Sequence, residues 1–522
     1  MHIVSMRGLG IQRTRNAVLV LIFGAVLAKT LGFGRELVTS YLFGATRAVD
    51  IYLVAGILPW IFSTIVASSL NTVVIPVFIQ LKQQEGDNRA WKDLISPLLI
   101  SVGLLLVVFS ILAYLAAPLF VNLFAAGFDE KARAEAVAMT RVMSPALLLA
   151  GLSGLLTGIL QAYKHFTITA LSAPIMNVGL IAALVWLTPQ IGNKALSVSY
   201  VVGAFLMFAL LLGALVYKRV PFQFSTKLWS TSIQKLVKVW IPLLVGSAVV
   251  QLDYLINRVV ASQLPEGSIA GLNYANLIYN ILPSVVLTSI GSAIFPQLST
   301  QWAEQDKVSI SHGFKRALAF SWSVAIPGVV FLMLFASPIV QIVYQRGAFD
   351  AHATWVTSGA LLFYAPALIA ETFLVLAYRV FYASQNTLTP LWISFLAIGT
   401  SIAFNLILVR FMDHRGLALA TVLSTLVGSL LCAFYLKKKG LVLFGGIAKY
   451  LFWFMLTSAL AGGVVLGFDL VLSSLWPLTL RLMANTSLFG LIYLVLNLYK
   501  TSPLSSTLLG WLGAATKILK MR

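Results

Sequence analysis

The strongest constraint in this chain is the recurrence of long apolar runs. Fourteen stand out, near 17–42, 48–79, 94–124, 139–163, 166–187, 195–217, 237–261, 268–298, 316–345, 356–383, 388–410, 416–436, 450–472 and 479–499. About 20 apolar residues in a helix cross a hydrocarbon core of about 30 Å. A helix in lipid satisfies its own backbone hydrogen bonds, and runs this long suit helices rather than strands. The expected fold is therefore an all-α polytopic membrane protein with about 14 transmembrane helices. Charged residues make up 10% of the chain, against about 25% in soluble domains. Several runs are long enough to need tilting or bending. Gly32, Gly34, Pro59 and Pro283 inside them predict bent helices around a cavity.

The net charge of +20 would suggest a nucleic-acid partner in a soluble chain. In a membrane chain, Lys and Arg gather in cytoplasmic loops instead, so no nucleic acid is expected. With the N-terminus inside, 23 Lys and Arg fall on the cytoplasmic side and nine on the other. Both termini are expected in the cytoplasm. The first apolar run lacks a clear cleavage motif and reads as a retained helix.

Four cations remain inside spans: Lys29, Arg35, Arg258 and Arg379. A charge at bilayer depth costs roughly 2.5–3.5 kcal/mol by insertion scales, so it marks function by default. Lys29, Arg35 and Glu36 fall in one run, Lys29-Thr-Leu-Gly-Phe-Gly-Arg-Glu36. Two cations there point to an anionic cargo. Lys29 and Arg35 are six apart, not on one face of a straight helix, but a bend at Gly32 and Gly34 would let both reach one cavity. Glu36 is expected to pair locally. Ion pairing is the plainer reading of the rest: Arg35 with Asp50, and Arg258 with Asp253. Lys29 can also snorkel along its stem. Asp50 opens the second span as a helix N-terminal acid or as a gating residue. Asp253, deeper in its span, suits a coupling-ion or proton site, or a structural pair with Arg258. Glu371 and Arg379 are eight apart on one helix face and suggest no specific role.

The chain also repeats. Arg35 aligns with Arg258, Gly44 with Gly267 and Asp50 with Asn273 at an offset of 223. Pro76 aligns with Pro296, Pro118 with Pro338 and Thr169 with Thr389 at 220. Six spans per repeat give two halves in the same orientation, related by an axis along the membrane normal. The expected organisation is an N-terminal lobe over 1–225, a second lobe over 226–440, an extra helix pair over 441–500 and an amphipathic cytoplasmic tail over 501–522. A cargo site between two lobes would give Arg35 and Arg258 a shared space. Paired guanidiniums suit a phosphate or pyrophosphate, which arginine holds through parallel hydrogen bonds.

Nothing suggests catalysis. No Gly-x4-Gly-Lys-Ser/Thr loop occurs. His2, His165, His312, His352 and His414 lack metal-ligand spacing. Cys432 reads as a small core residue, and Trp60 and Trp240 as interface anchors. No cofactor is expected beyond a coupling ion, Na+ or H+, or the membrane potential.

The block Leu31-Gly-Phe-Gly-Arg-Glu36, Phe43-Gly-Ala, Ala48-Val-Asp50, Leu58-Pro59 and Ile75-Pro-Val-Phe78 resembles the MurJ (MviN) lipid II flippases. So do Ala261-Ser-x-Leu-Pro-Glu-Gly267, Asn273-Tyr-Ala-Asn276 and Phe381-Tyr-Ala-Ser-Gln-Asn-Thr-Leu-Thr-Pro390. The resemblance runs over nearly the whole chain. It implies two six-helix lobes around a cationic cavity, with a last helix pair forming a groove for a lipid tail. It implies movement of undecaprenyl-pyrophosphate-linked peptidoglycan precursor to the outer leaflet without ATP, in a bacterial inner membrane. Partners would be that precursor, membrane lipids and cell-wall synthesis proteins. Arg35, Lys29 and Asp50 match family motif positions. Ser63, Thr64, Leu277 and Asn386 depart from residues frequent in the family. The alternatives are a flippase for another lipid-linked glycan, a cation-coupled drug exporter, and a non-transporting scaffold for cell-wall enzymes. The cations in the spans disfavour an exporter of organic cations.

Overall fold

The computed structural model describes residues 2–218, 231–472 and 476–498. The tail over 501–522 lies outside them. The described residues are helical, with no strand among them. The chain divides into two compact units, Met1–Ala270 with Arg346–Phe349, and Gly271–Gln345 with Asp350–Arg522.

The first unit holds α1 (His2–Phe43), α2 (Arg47–Ala55), α3 (Ile57–Glu85), α4 (Asp87–Ala90), a π-helical turn (Trp91–Ile95), α5 (Ser96–Leu115) and α6 (Ala117–Phe124). It continues with α7 (Glu130–Ala162), α8 (Phe166–Ile191), α9 (Lys194–Tyr217) and α10 (Thr231–Ala261). Helix α11 (Ser268–Tyr279) crosses from the first unit into the second. Then come α12 (Ile281–Ala303), α13 (Lys307–Leu334), α14 (Ala336–Tyr344), α15 (Ala351–Tyr364), α16 (Ala367–Ala383), α17 (Leu388–Lys438), α18 (Ile447–Leu472) and α19 (Leu478–Leu498).

Nine of the described helices are long and apolar enough to span a membrane, and α15 with α16 forms a further candidate span bent by 43°. Helix α17 runs for 51 residues. At 1.5 Å per residue that is about 76 Å, more than twice a bilayer core. It breaks at Asp413 (φ 49°, ψ −132°), where the sequence separates two spans.

Proline explains the other breaks. Its ring displaces the carbonyl four residues earlier. Pro59, Pro283 and Pro338 thereby end α2 at Ala55, α11 at Tyr279 and α13 at Leu334. Helix α1, by contrast, runs unbroken through Gly32 and Gly34. No residue there leaves the helix.

Backbone geometry repeats along with the sequence. Lys164 (φ 64°) and Gln385 (φ 57°) both take the left-handed conformation after a long helix. His165 N–H then donates to Leu160 O at 2.8 Å, as Asn386 N–H does to Phe381 O at 2.9 Å. This is the Schellman closure, found twice at an offset of 221. At the same offset, Gly192 (φ 57°, ψ −132°) turns the chain between α8 and α9 as Asp413 turns α17. Glycine adopts that region freely; an aspartate there carries strain of about 1–3 kcal/mol. Asp413→Gly is therefore expected to raise thermal stability, by about 1 kcal/mol, in a melting experiment on purified protein.

The first unit's core gathers Phe78, Trp91, Leu94, Leu155, Ile159 and Leu236. Trp240 is buried in that core, not at an interface as its place near a span end suggests. Helix α10, which begins the second sequence repeat, packs against α3. In the second unit Phe314, Trp322, Phe373, Phe381, Cys432 and Phe454 form the core. Its last two helices are held by polar ties, which are the specific glue available in lipid. Trp453 donates to Asn497 at 3.0 Å and Arg481 pairs with Asp469 at 2.9 Å. Outward-facing Trp186, Phe411 and Phe452 remain exposed, as lipid-facing side chains do.

Candidate functional site

Arg35 is the first anchor. It sits on α1 with its guanidinium against the Glu36 carboxylate, Nε–Oε1 being 3.1 Å, and Nη2 also touches that oxygen. The Arg35 side chain retains 26% of its exposure. Glu36 pairs locally, as the sequence suggested. Tyr52 of α2 and Tyr200 of α9 lie within electrostatic reach of Arg35. Trp60 wedges between them, edge-on to Tyr52 at 5.6 Å and to Tyr200 at 6.0 Å. It packs against both tyrosines.

Arg258 is the second anchor. It is only 6% exposed. Its Nη2 donates to the Tyr254 hydroxyl at 3.1 Å and its Nη1 to the Ile269 carbonyl at 3.4 Å. The guanidinium carbon lies 5.0 Å from the Tyr254 ring centroid, a cation–π contact. Tyr254 in turn lies in electrostatic reach of Tyr52. Tyr52 and Tyr254 thus lie between the surroundings of the two arginines within one unit. Tyr254→Phe removes one charge-assisted bond and should cost about 1–2 kcal/mol in thermal or denaturant unfolding.

Asp50 closes the far side. It is fully buried. Its two oxygens accept from Gly267 N–H and Ala270 N–H, each at 2.8 Å. These are orphan donors in the first turn of α11, whose dipole favours a carboxylate. Arg47 adds a contact at 3.6 Å, and Arg258 lies within electrostatic reach. The clasp is reciprocal: Glu266 accepts from Arg47 N–H at 2.8 Å, at the start of α2. The expected Arg35–Asp50 ion pair is thus not formed; backbone amides take the Asp50 carboxylate.

Two glycines let these segments meet. Gly267 (φ +80°) would place a Cβ 2.2 Å from the Ala45 carbonyl oxygen, and Gly44 (φ +63°) one 2.3 Å from that of Ala348. Both positions need glycine for conformation and for space. Beside them, Ala348 N–H donates to Tyr41 O at 2.8 Å.

The structure thus sets Arg35 beside Glu36, and Asp50 within electrostatic reach of Arg258. Lys29 lies on the same helix, α1, and is exposed. The Asp253 side chain lies outside the described residues. Sequence reasoning missed Tyr52, Tyr200, Tyr254 and Glu266. One signal was available: Tyr254 precedes Arg258 by four, one helical turn. Among the described residues, no three His, Cys, Asp or Glu gather as a metal site.

The family described as "Lipid II flippase MurJ" matches residues 39–485. The chain belongs to the MurJ family. "Lipid II flippase MurJ" of Burkholderia cenocepacia is 27% identical over 425 residues, 80% of this chain and 82% of that one. "Probable lipid II flippase MurJ" of Rhizobium tropici is 26% identical and covers 90% of each chain. The fold matches a structure titled "Lipid II flippase MurJ, inward closed conformation" with a TM-score of 0.78, at 21% identity over 92% of this chain and 98% of that one. An inward-facing multidrug MATE-family transporter of the MOP superfamily shares the fold at a TM-score of 0.68, with 14% identity over 83% and 99%. MurJ membership agrees with the resemblance read from Leu31–Glu36 and the later motifs.

Proposed function

We propose that this protein moves undecaprenyl-pyrophosphate-linked peptidoglycan precursor, lipid II, from the inner to the outer leaflet by alternating access. One observation supports the reading within the family: two arginines, Arg35 and Arg258, lie on helices of one unit, each near a tyrosine, and those tyrosines, Tyr52 and Tyr254, lie within electrostatic reach of one another. Arg35, whose side chain is partly exposed, offers its guanidinium to a pyrophosphate oxygen. Guanidiniums grip such groups through parallel hydrogen bonds, and they stay charged when water leaves. Arg258 supports the same field, its charge placed by Tyr254 and the Ile269 carbonyl.

With both termini cytoplasmic, the ends of α1 and α10 reach the outer face of a bacterial cytoplasmic membrane. Asp50 and Glu266 then act as an outer gate. Each holds amide donors of the facing segment, and releasing them opens the unit outward. The repeat supplies the lobes, 1–225 and 226–440, with 441–500 appended for the lipid tail and 501–522 on the inner leaflet. The activity is transport, not a chemical reaction. The partners are the lipid-linked precursor, membrane lipids and cell-wall synthesis proteins.

The test is rescue of cells depleted of their lipid II flippase. Wild type should restore growth, and Arg258→Ala should rescue less at equal membrane expression. Failure of well-expressed wild type contradicts the lipid II assignment. Full rescue by Arg258→Ala makes Arg258 structural.

A further inference from the structure

We infer that Glu371 and Tyr279 form a proton-binding site in the second unit. Tyr279 donates its hydroxyl to Glu371 Oε2 at 2.5 Å, and the Tyr364 ring lies 6.1 Å from that of Tyr279. Both partners sit at helix breaks. Tyr279 is the last residue of α11, where Pro283 interrupts the run into α12. Glu371 lies five residues beyond Pro366, where α15 and α16 meet at 43°. The hydrogen bond therefore ties two broken helices together at their joints.

Among the described residues Glu371 has no ion-pair partner. Helices α12, α13 and α17 pack against α16. Neither α11 nor α12 carries a charged residue, and those of α13 lie in its first turns, from Lys307 to Arg316. Those of α17 lie at the turn around Asp413 and at its last residues, Lys437 and Lys438. On α16 itself Arg379 is two turns away, its guanidinium 5.8 Å from the Phe295 ring centroid. The groups that face Glu371 are thus tyrosines, and an intramembrane carboxylate without a fixed cation is a place where a mobile one binds.

The first repeat holds no counterpart of this pair. The breaks at Gly56 and Asn280 correspond, which sets Ala55 opposite Tyr279. The 221 offset sets Ala150 opposite Glu371. Both alanines are buried, and α7 runs unbroken past Ala150, so the second joint is also particular to the second repeat. The pair is an addition specific to the second repeat.

The chemistry is reversible protonation. As a carboxylate, Glu371 only accepts, and Tyr279 donates to it. A proton taken up on a carboxyl oxygen gives Glu371 a donor of its own. The hydrogen bond can then reverse toward the phenol oxygen, and the tie between the two joints is reset. The assignment does not depend on which lipid is carried.

Infrared difference spectroscopy between acid and alkaline buffer, on full-length protein in lipid nanodiscs, tests it. Wild type should show a carboxylic-acid carbonyl band that titrates with pH. Glu371→Gln should lose that band. Tyr279→Phe should keep it at a shifted frequency, because its hydrogen-bond partner is gone. This second variant carries the test if Glu371→Gln does not fold. Three results overturn the inference: no titrating band in wild type, the same band in Glu371→Gln, or an unshifted band in Tyr279→Phe. Loss of the band on adding sodium at fixed pH assigns the site to a metal cation and also overturns it.

Discussion

Asp50→Ala is expected to abolish rescue of flippase-depleted cells while the protein still reaches the membrane. The substitution leaves Gly267 N–H and Ala270 N–H buried without their acceptor. Each orphaned buried donor costs about 1–3 kcal/mol, so the clasp loses roughly 2–6 kcal/mol, which is comparable to the bias between conformers of a two-state protein. Asp50→Asn keeps one acceptor oxygen but turns an NH2 group toward a second donor, and should fall between. Gly267→Ala attacks the same clasp independently, since a Cβ there would lie 2.2 Å from the Ala45 carbonyl. The readout is a cysteine at position 45, probed from outside with a membrane-impermeant thiol reagent. Cys432 is buried and is the single native cysteine, so background is low. Labelling should rise in Asp50→Ala and in Gly267→Ala. Unchanged labelling in both would show that the clasp does not hold the outer face closed.

Arg35→Ala is the second large effect. It removes the guanidinium and leaves Glu36 without this partner, turning a neutral pair into a net negative site. Loss of a charge-assisted contact to cargo is worth about 1.5–3 kcal/mol, or about ten- to a hundredfold in binding. Arg35→Lys keeps the charge but not the parallel hydrogen bonds, and should transport at an intermediate rate. If Arg35→Lys behaves as Arg35→Ala does, geometry matters more than charge.

Much of the fold was legible because lipid leaves so few choices. Apolar length sets the helices, and the repeat shows through residues whose backbone role is fixed, such as Gly44, Gly267, Pro118 and Pro338. The fine breaks were less legible. The span at 94–124 is two helices meeting at Ala116, and 316–345 is two meeting at Phe335. Pro118 and Pro338 mark both sites, but proline also sits inside unbroken helices at Pro76, Pro145 and Pro327. Packing decides which prolines break. Of the site, the charges were visible, since any charge stands out in an apolar run. Their partners were not. Asp50 is met by backbone amides more than 200 residues away, and amides carry no side-chain signature. Tyr52 and Tyr200 look like ordinary apolar-span residues until Arg35 lies beside them.

The proposed role of Arg35 is to hold the pyrophosphate of lipid II as it crosses the membrane. Its most direct test is the appearance of lipid II at the outer leaflet of depleted cells, read by an externally added degrading enzyme. Wild type should restore exposure, and Arg35→Ala at equal membrane abundance should not. Equal exposure in both strains, or none with well-expressed wild type, would contradict the account.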